Sequence, residues 1–599
     1  MGTILRFGAF PALVERAIIM RMTIHRAVAI AVLFLLLTPP SDGQSIEANA
    51  NSDEVSIKKS LLLSDLHALE IESAKLEKPL ALALAKAEIA NAIWSLDQTR
   101  AKKLLHDAYE LTFPEESERT QLQKKPIGAP LTIPTKIDTA RNTVRGRVLE
   151  IAGRDSTFAD ELARLGAQQL GVGEEHLTYA SLAAKSLADG QTDTASKYIL
   201  KAIEADPTLI NAGLNILTIA AQDRAAADKL IIQYIDQLRT LPLPMTDDSF
   251  MRIHFILRRL VFTDNNGFKG FGIEAPQVPI PPASPAVVKA YLTYVIESVG
   301  KQEQIELGSA QRFRGLLLSV WLPIKQYTPE LIGAFLELER LSRRPGEDGA
   351  LPQVSSAEAS RSSYEKRVKD ALDSDQPDEL TINFAISHED FTRARKLIDK
   401  LPDGLQKAQL TDLVNMKQAL NLAAKGDLPN AQRLAEQLTR AASMQQVYPV
   451  LISKCGTNKD QACASALAYQ AMKQLKHADT APSLPPSGIR VSGFLTSREL
   501  DPVLLSLSKL AKAVLPINES LAFEVLDEAV RTANVSEMDT GQGRTGFDAD
   551  LFKQFAAKND ARTRQAAETF KDPLRRIVAL AAIYEQQAMQ LMKQTKIKP

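Results

Sequence analysis

The chain has 599 residues, with 72 Lys+Arg against 72 Asp+Glu, 45% hydrophobic residues and 24% charged ones. That length exceeds what one hydrophobic core needs, so several domains or one elongated array are expected. The balanced charge lacks the basic excess of a dedicated nucleic-acid binder, and the ordinary composition excludes collagen-like, disordered and polytopic membrane classes.

Near the N-terminus, Arg21, His25 and Arg26 precede an apolar run from Ala27 to Leu37, and Ser41 and Gly43 then stand two apart. This is the plan of a secretory signal peptide, and the run is short for a membrane span. Residues 1–43 are therefore read as an upstream extension plus signal peptide. The expected location is the periplasm or the extracellular space, with no transmembrane segment after cleavage near Gly43; an uncleaved N-terminal anchor is the alternative.

Beyond that segment, helical periodicity dominates. Residues 78–96 and 410–426 carry apolar side chains at three- and four-residue spacing and are rich in Ala and Leu. The best strand candidate is the short 489–495. Helix starts are marked by Asp206-Pro207, Ser284-Pro285, Thr328-Pro329, Asp501-Pro502 and Asp572-Pro573, each a capping residue before a proline.

The stretch 190–207, "GQTDTASKYILKAIEADP", sets Ala195, Ile199 and Ala202 on one helix face. The same spacing recurs at Ala101/Leu105/Ala108, Ala394/Ile398/Leu401, Ala431/Ala435/Leu438 and Ala522/Leu526/Ala529, each after a turn and a preceding apolar helix. Alanine lets two helix axes approach closely. A helical hairpin cannot bury its apolar face alone, so neighbours must stack. The predicted fold is all-α: a superhelix, or solenoid, of stacked hairpins with long Pro-rich loops.

Over 176–209 the segment resembles the tetratricopeptide repeat. The family pattern falls on Tyr179, Leu182, Ala183 and Ser186, then on Ala195, Ile199, Ala202 and Pro207. Tyr179, Ala183 and Ser186 stand where the family prefers Trp, Gly and Tyr. The resemblance implies a surface that binds peptides or proteins. It carries over no binding residues, because the matched positions are packing positions.

Pro-rich stretches at 124–136, 267–285, 342–360 and 479–494 divide the chain. They suggest an N-terminal helical-repeat region over 44–266, linkers with middle helices (284–345) over 267–357, and a C-terminal helical-repeat region over 358–599.

The two cysteines, Cys455 and Cys463, are too few for a four-ligand zinc site. In an exported chain they are expected to form a disulfide pinning two successive helices across the turn 456–460. "GQGRTG" (541–546) matches G-x-G-x-x-G but follows a helical stretch where a dinucleotide site requires a strand. It is read as a flexible inter-helix loop. The histidines His67, His106, His176, His254, His388 and His477 are scattered. His254 falls in an apolar helix. No cofactor, metal or catalytic residue is expected. The expected role is a scaffold for a protein or peptide partner, the alternatives being an α/α-toroid polysaccharide-processing enzyme and a purely structural envelope protein.

Overall fold

Many helices begin where a side-chain oxygen can take an orphaned backbone donor. Asp97 accepts from the amide of Arg100, Asp223 from Ala226, Asp390 from Arg393, Asp427 from Asn430 and Asp460 from Cys463. Asn518 and Asn559 accept from Leu521 and Arg562. Each such cap is worth about 1 kcal/mol. Of the Pro-marked starts, Pro502 and Pro573 open helices capped by Asp501 and Asp572, and Pro285 opens a third. Pro329 opens a 3-10 turn, and Thr328 makes no capping hydrogen bond.

The computed structural model describes residues 46–114, 136–170, 175–188, 190–206, 210–241, 247–262, 280–302, 310–342, 351, 356–374, 377–478, 501–536 and 540–596. The signal-peptide segment, the strand candidate 489–495 and Pro207 lie outside these residues. Leu62–Lys596 form one compact unit. Of the other unit, only 46–61 are described, where Lys58 pairs with Glu54 at an exposed position.

Among the described residues there are 25 α-helices and no strand, so the all-α fold stands. The first half holds α1 (Ile46–Ser73), α2 (Pro79–Ile93), α3 (Gln98–Glu110), α4 (Lys136–Ala152), α5 (Ser156–Leu170), α6 (Glu175–Ala188) and α7 (Thr192–Ala205). It continues with α8 (Ile210–Gln222), α9 (Arg224–Arg239), α10 (Asp247–Val261), α11 (Pro285–Gln302), α12 (Ala310–Tyr327) and α13 (Ile332–Leu341). The second half holds α14 (Ser356–Asp373), α15 (Glu379–Ser387), α16 (Phe391–Asp399), α17 (Leu405–Ala424), α18 (Leu428–Ala435) and α19 (Ala441–Thr457). It ends with α20 (Gln461–Leu475), α21 (Pro502–Val514), α22 (Glu519–Val535), α23 (Asp550–Ala556), α24 (Asp560–Glu568) and α25 (Pro573–Lys596).

The helices pack as hairpins: α2 on α3, α4 on α5, α6 on α7, α8 on α9, then α17 on α18, α19 on α20, α21 on α22 and α23 on α24. Hairpins stack through their first helices. One row runs α17, α19, α21, α23, α25, and another runs α2, α4, α6, α8, α10. Helix α11 packs on α9 and α10, so the middle helices continue the N-terminal array.

The alanine faces lie in these contacts. Ala101, Ala108, Ala195, Ala202, Ala394, Ala431, Ala435, Ala522 and Ala529 are all buried, together with Leu105, Ile199, Ile398, Leu438 and Leu526. Leu401 is partly buried against the cluster of Ile382, Leu397 and Val414. Helix α20 carries a further face of this kind, Ala464, Ala468 and Ala471.

Packing order departs from chain order at one place. The last helix, α25, packs on α2, near the start. Helices α13 and α14, consecutive in the chain, share no packed face of this kind among the described residues. The stack therefore runs from α14 to α25, passes to α2, and continues to α13.

Candidate functional site

In the hairpin of α6 and α7, Tyr179 and Leu182 are buried on α6, and Ala195, Ile199 and Ala202 are buried on α7. The rings of Tyr179 and Tyr198 stack at 6.1 Å, with Lys201 Nζ 5.0 Å from the Tyr179 ring centre. Asn215 Nδ2 on α8 donates to the carbonyl of Ala180, tying the next hairpin to this one. These side chains stack helices, and none of the buried set faces solvent.

Cys455 lies in the last turn of α19 and Cys463 in the first turn of α20, with Sγ atoms 2.01 Å apart in a disulfide. Between them Lys459 adopts φ 58, the left-handed conformation that turns the chain back. The adjacent hairpin docks on the same turn. A Cβ on Gly456 would come within 2.6 Å of the Ile517 side chain, so glycine makes room for the α21–α22 turn. Asn518 Nδ2 donates to Ser465 Oγ on α20 at 3.2 Å. The two hairpins are thus locked together at their turn ends.

Farther along, α20 and α22 face each other without a packed interface, leaving a groove of about 370 Å³. Helix α20 contributes Tyr469, Met472, Lys473 and Lys476, at the spacing of one helix face. Helix α22 contributes Glu524, Asp527, Glu528 and Arg531. Tyr469 is 52% exposed, and its hydroxyl donates to Glu524 at 3.2 Å. Glu528 sits 2.7 Å from Arg531 and 3.9 Å from Lys476. The walls are mainly basic on α20 and acidic on α22, and a half-exposed ring stands at one end. A second, smaller cavity of about 350 Å³ lies beside Gly404, Lys407 and Thr411. Its buried Asp412 accepts from the Thr439 amide at 2.7 Å and from Ser443 Oγ, which caps the approach to α19.

The junction of α2 with α25 holds the densest charge network. Glu585 of α25 is 6% exposed. It accepts from Asn91 Nδ2 (2.8 Å), Arg154 Nη2 (3.2 Å) and Lys553 Nζ (2.7 Å). One turn earlier on α2, buried Glu88 receives Arg147 through two hydrogen bonds of 2.6 and 2.9 Å. Burial opposes the Arg147 charge, but Glu88 and Glu150 outweigh it and hold its pKa above the ordinary value. Arg576 donates to Glu72, and Arg564 lies 3.8 Å from Asp65.

The G-x-G-x-x-G segment belongs to this junction. It lies between α22 and α23, and its first residues form the 3-10 turn Thr540–Gln542, which packs on α2 and α4. Gly543 has φ +69, and a Cβ there would meet Val144 at 2.5 Å and the Leu80 carbonyl at 2.8 Å. Arg575 Nε donates to the Thr545 carbonyl at 3.0 Å, and Nη1 to that of Ala533. The expected flexible loop is a packed wedge, and its glycines admit backbone where a dinucleotide fold would admit phosphate.

Sequence reading missed both the junction and the groove. The signal available for the first was a carboxylate inside an Ala-rich apolar run, at Glu88 in 80–93 and Glu585 in 577–588. His254 falls where its apolar run placed it. It is buried against Phe250 and Tyr294, with Nε2 3.2 Å from Ser298 Oγ. Among the described residues no group of three or more His, Cys, Asp or Glu could hold a metal, and no helix is long and apolar enough to cross a membrane.

No family model and no curated protein matches the chain. One solved structure that it resembles is a "circular tandem repeat protein with novel repeat topology and enhanced subunit contact surfaces". The two are 14% identical, with 88% of this chain and 100% of the other covered and a TM-score of 0.15.

Proposed function

We propose that the chain is an exported, non-catalytic helical-repeat scaffold that holds an extended peptide or protein segment in the groove between α20 and α22. One observation carries this reading: two neighbouring helices stand apart along a groove with a half-exposed Tyr469 and Met472, between a basic and an acidic wall. Such a surface offers apolar area at low ordering cost from the tyrosine, and oppositely charged walls that fix the direction of a bound segment. The N-terminal signal sequence supports export to the periplasm or beyond.

The test is site-specific photo-crosslinking in the native host, with a photoreactive residue replacing Tyr469 in one strain and exposed Val535 in another. Discrete adducts at position 469, absent at 535 and weakened by Lys473→Glu with Lys476→Glu, are the expected result. Equal labelling at both positions, or none at 469, speaks against the groove. Retention of the chain in the cytoplasm speaks against export.

A further inference from the structure

The ends of a helical stack normally carry a polar outer face, because no neighbour covers them. Helix α2, which opens the first hairpin, departs from this rule. Its residues are buried almost continuously from Leu80 to Ile93, on all sides. That is the composition of an interior helix, enclosed by neighbours. The neighbours are α3, α4, α25 and the 540–542 turn. Large exposed apolar side chains lie elsewhere on the molecule, among them Leu336 and Leu341 on α13, Phe384 on α15, Leu405 on α17 and Ile71 on α1. By burial and packing, the α2–α3 hairpin is an interior unit of the stack, set between α4 and α25.

We infer that the face of α25 and the glycine wedge that receives α2 and α4 is a protein–protein interface in its own right. Its partner is the array α2–α13, and it holds that array without needing the covalent connection through residues 343–355. Three features support this. The contact is made by interior-type packing, as between any two stacked hairpins. Its polar groups are matched across it, with Glu585 taking donors from Asn91 and Arg154, and Glu72 taking Arg576. Its fit is specific at Gly543, where a Cβ would strike the Leu80 carbonyl and the Val144 side chain. Among the described residues, the packed faces between 62–341 and 356–596 fall at this junction, with the hydrogen bonds Asn91–Glu585, Arg154–Glu585 and Arg576–Glu72 beside them. The consequence is a scaffold that survives a proteolytic cut in its middle as a two-chain particle.

The experiment inserts a site for a sequence-specific protease within 343–355 of the full chain. After complete cutting, size exclusion is expected to give one peak at the mass of the uncut protein, while a denaturing gel shows two fragments. Separate peaks, or precipitation on cutting of a protein that was soluble before, overturn the inference. A second variant adds Glu585→Ala and Gly543→Leu to the same protein. Uncut, it is checked for retained helicity by circular dichroism. Cut, it is expected to fall apart, with at least a 100-fold weaker association. If the uncut variant loses its fold, Glu585→Ala alone replaces it, with at least a 100-fold weakening expected. Association of the cut variant as tight as that of the cut parent overturns the assignment of the interface to this junction.

Discussion

Asn91 Nδ2 donates a 2.8 Å hydrogen bond to Glu585 Oε2, joining residues 494 positions apart in the chain. The same carboxylate takes Arg154 and Lys553, so one buried side chain holds together α2, the turn between α4 and α5, α23 and α25. Replacing Glu585 with alanine leaves two cations and an amide facing a void. Stripping one member from a buried ionic network costs about 3–5 kcal/mol. Urea unfolding followed by circular dichroism should show a lower midpoint of that order, and an unchanged midpoint would remove Glu585 from its role.

Gly543 and Gly190 separate crowding from conformation. Both have positive φ, +69 and +74, but a Cβ at 543 meets Val144 and the Leu80 carbonyl, whereas a Cβ at 190 meets open space. Gly190→Ala should cost about 1 kcal/mol, the ordinary penalty of the left-handed region. Gly543→Ala should cost about 2–4 kcal/mol, because overpacking adds to that penalty. Equal losses of stability in paired thermal melts would contradict the wedge.

His254 gives a pH dependence with a definite sign. Burial pushes its pKa down from 6.5 to about 3. Since the folded value lies below the unfolded one, protons bind the unfolded chain preferentially. The contribution of neutral His254 is complete above pH 6.5 and is lost as pH falls from 6.5 toward 3. The difference between the parent and His254→Phe should therefore change by about 1–2 kcal/mol between pH 7 and pH 5, at about 1.4 kcal/mol per pH unit below the unfolded pKa. A pH-independent difference would mean that the imidazole is not held neutral.

The disulfide closes a short loop between Cys455 and Cys463. Chain-entropy reasoning for a loop of that size gives about 2–3 kcal/mol. Reduction, or Cys455→Ser with Cys463→Ser, should lower the unfolding midpoint accordingly. Because α20 carries the basic wall of the groove, crosslinking at position 469 should also fall.

Much of the fold was legible because its information is local. Ala195/Ile199/Ala202 and the four matching triplets name the buried face of five second helices, and Asp97, Asp390, Asp427 and Asn518 mark where four of them begin. What periodicity cannot give is the partner of a buried face. Nothing in residues 79–93 says that the covering helix lies at 573–596, since the contact joins segments nearly 500 residues apart. The glycines of 541–546 show the same gap. Their composition signals close backbone approach, but only the packing says that the approaching group is Leu80. The groove was illegible for another reason. Tyr469 and Lys473 look like any solvated helix face until α22 stands opposite them at a distance.

The central claim is that the stack passes from α25 to α2, and a double-mutant cycle between Asn91 and Glu585 tests it most directly. Asn91→Ala, Glu585→Ala and the double variant are compared by urea unfolding with the parent. Direct contact predicts a coupling energy of about 1 kcal/mol or more, whereas additivity within about 0.3–0.5 kcal/mol marks residues that do not interact. The first result places α2 and α25 side by side within the stack. The second would contradict that arrangement.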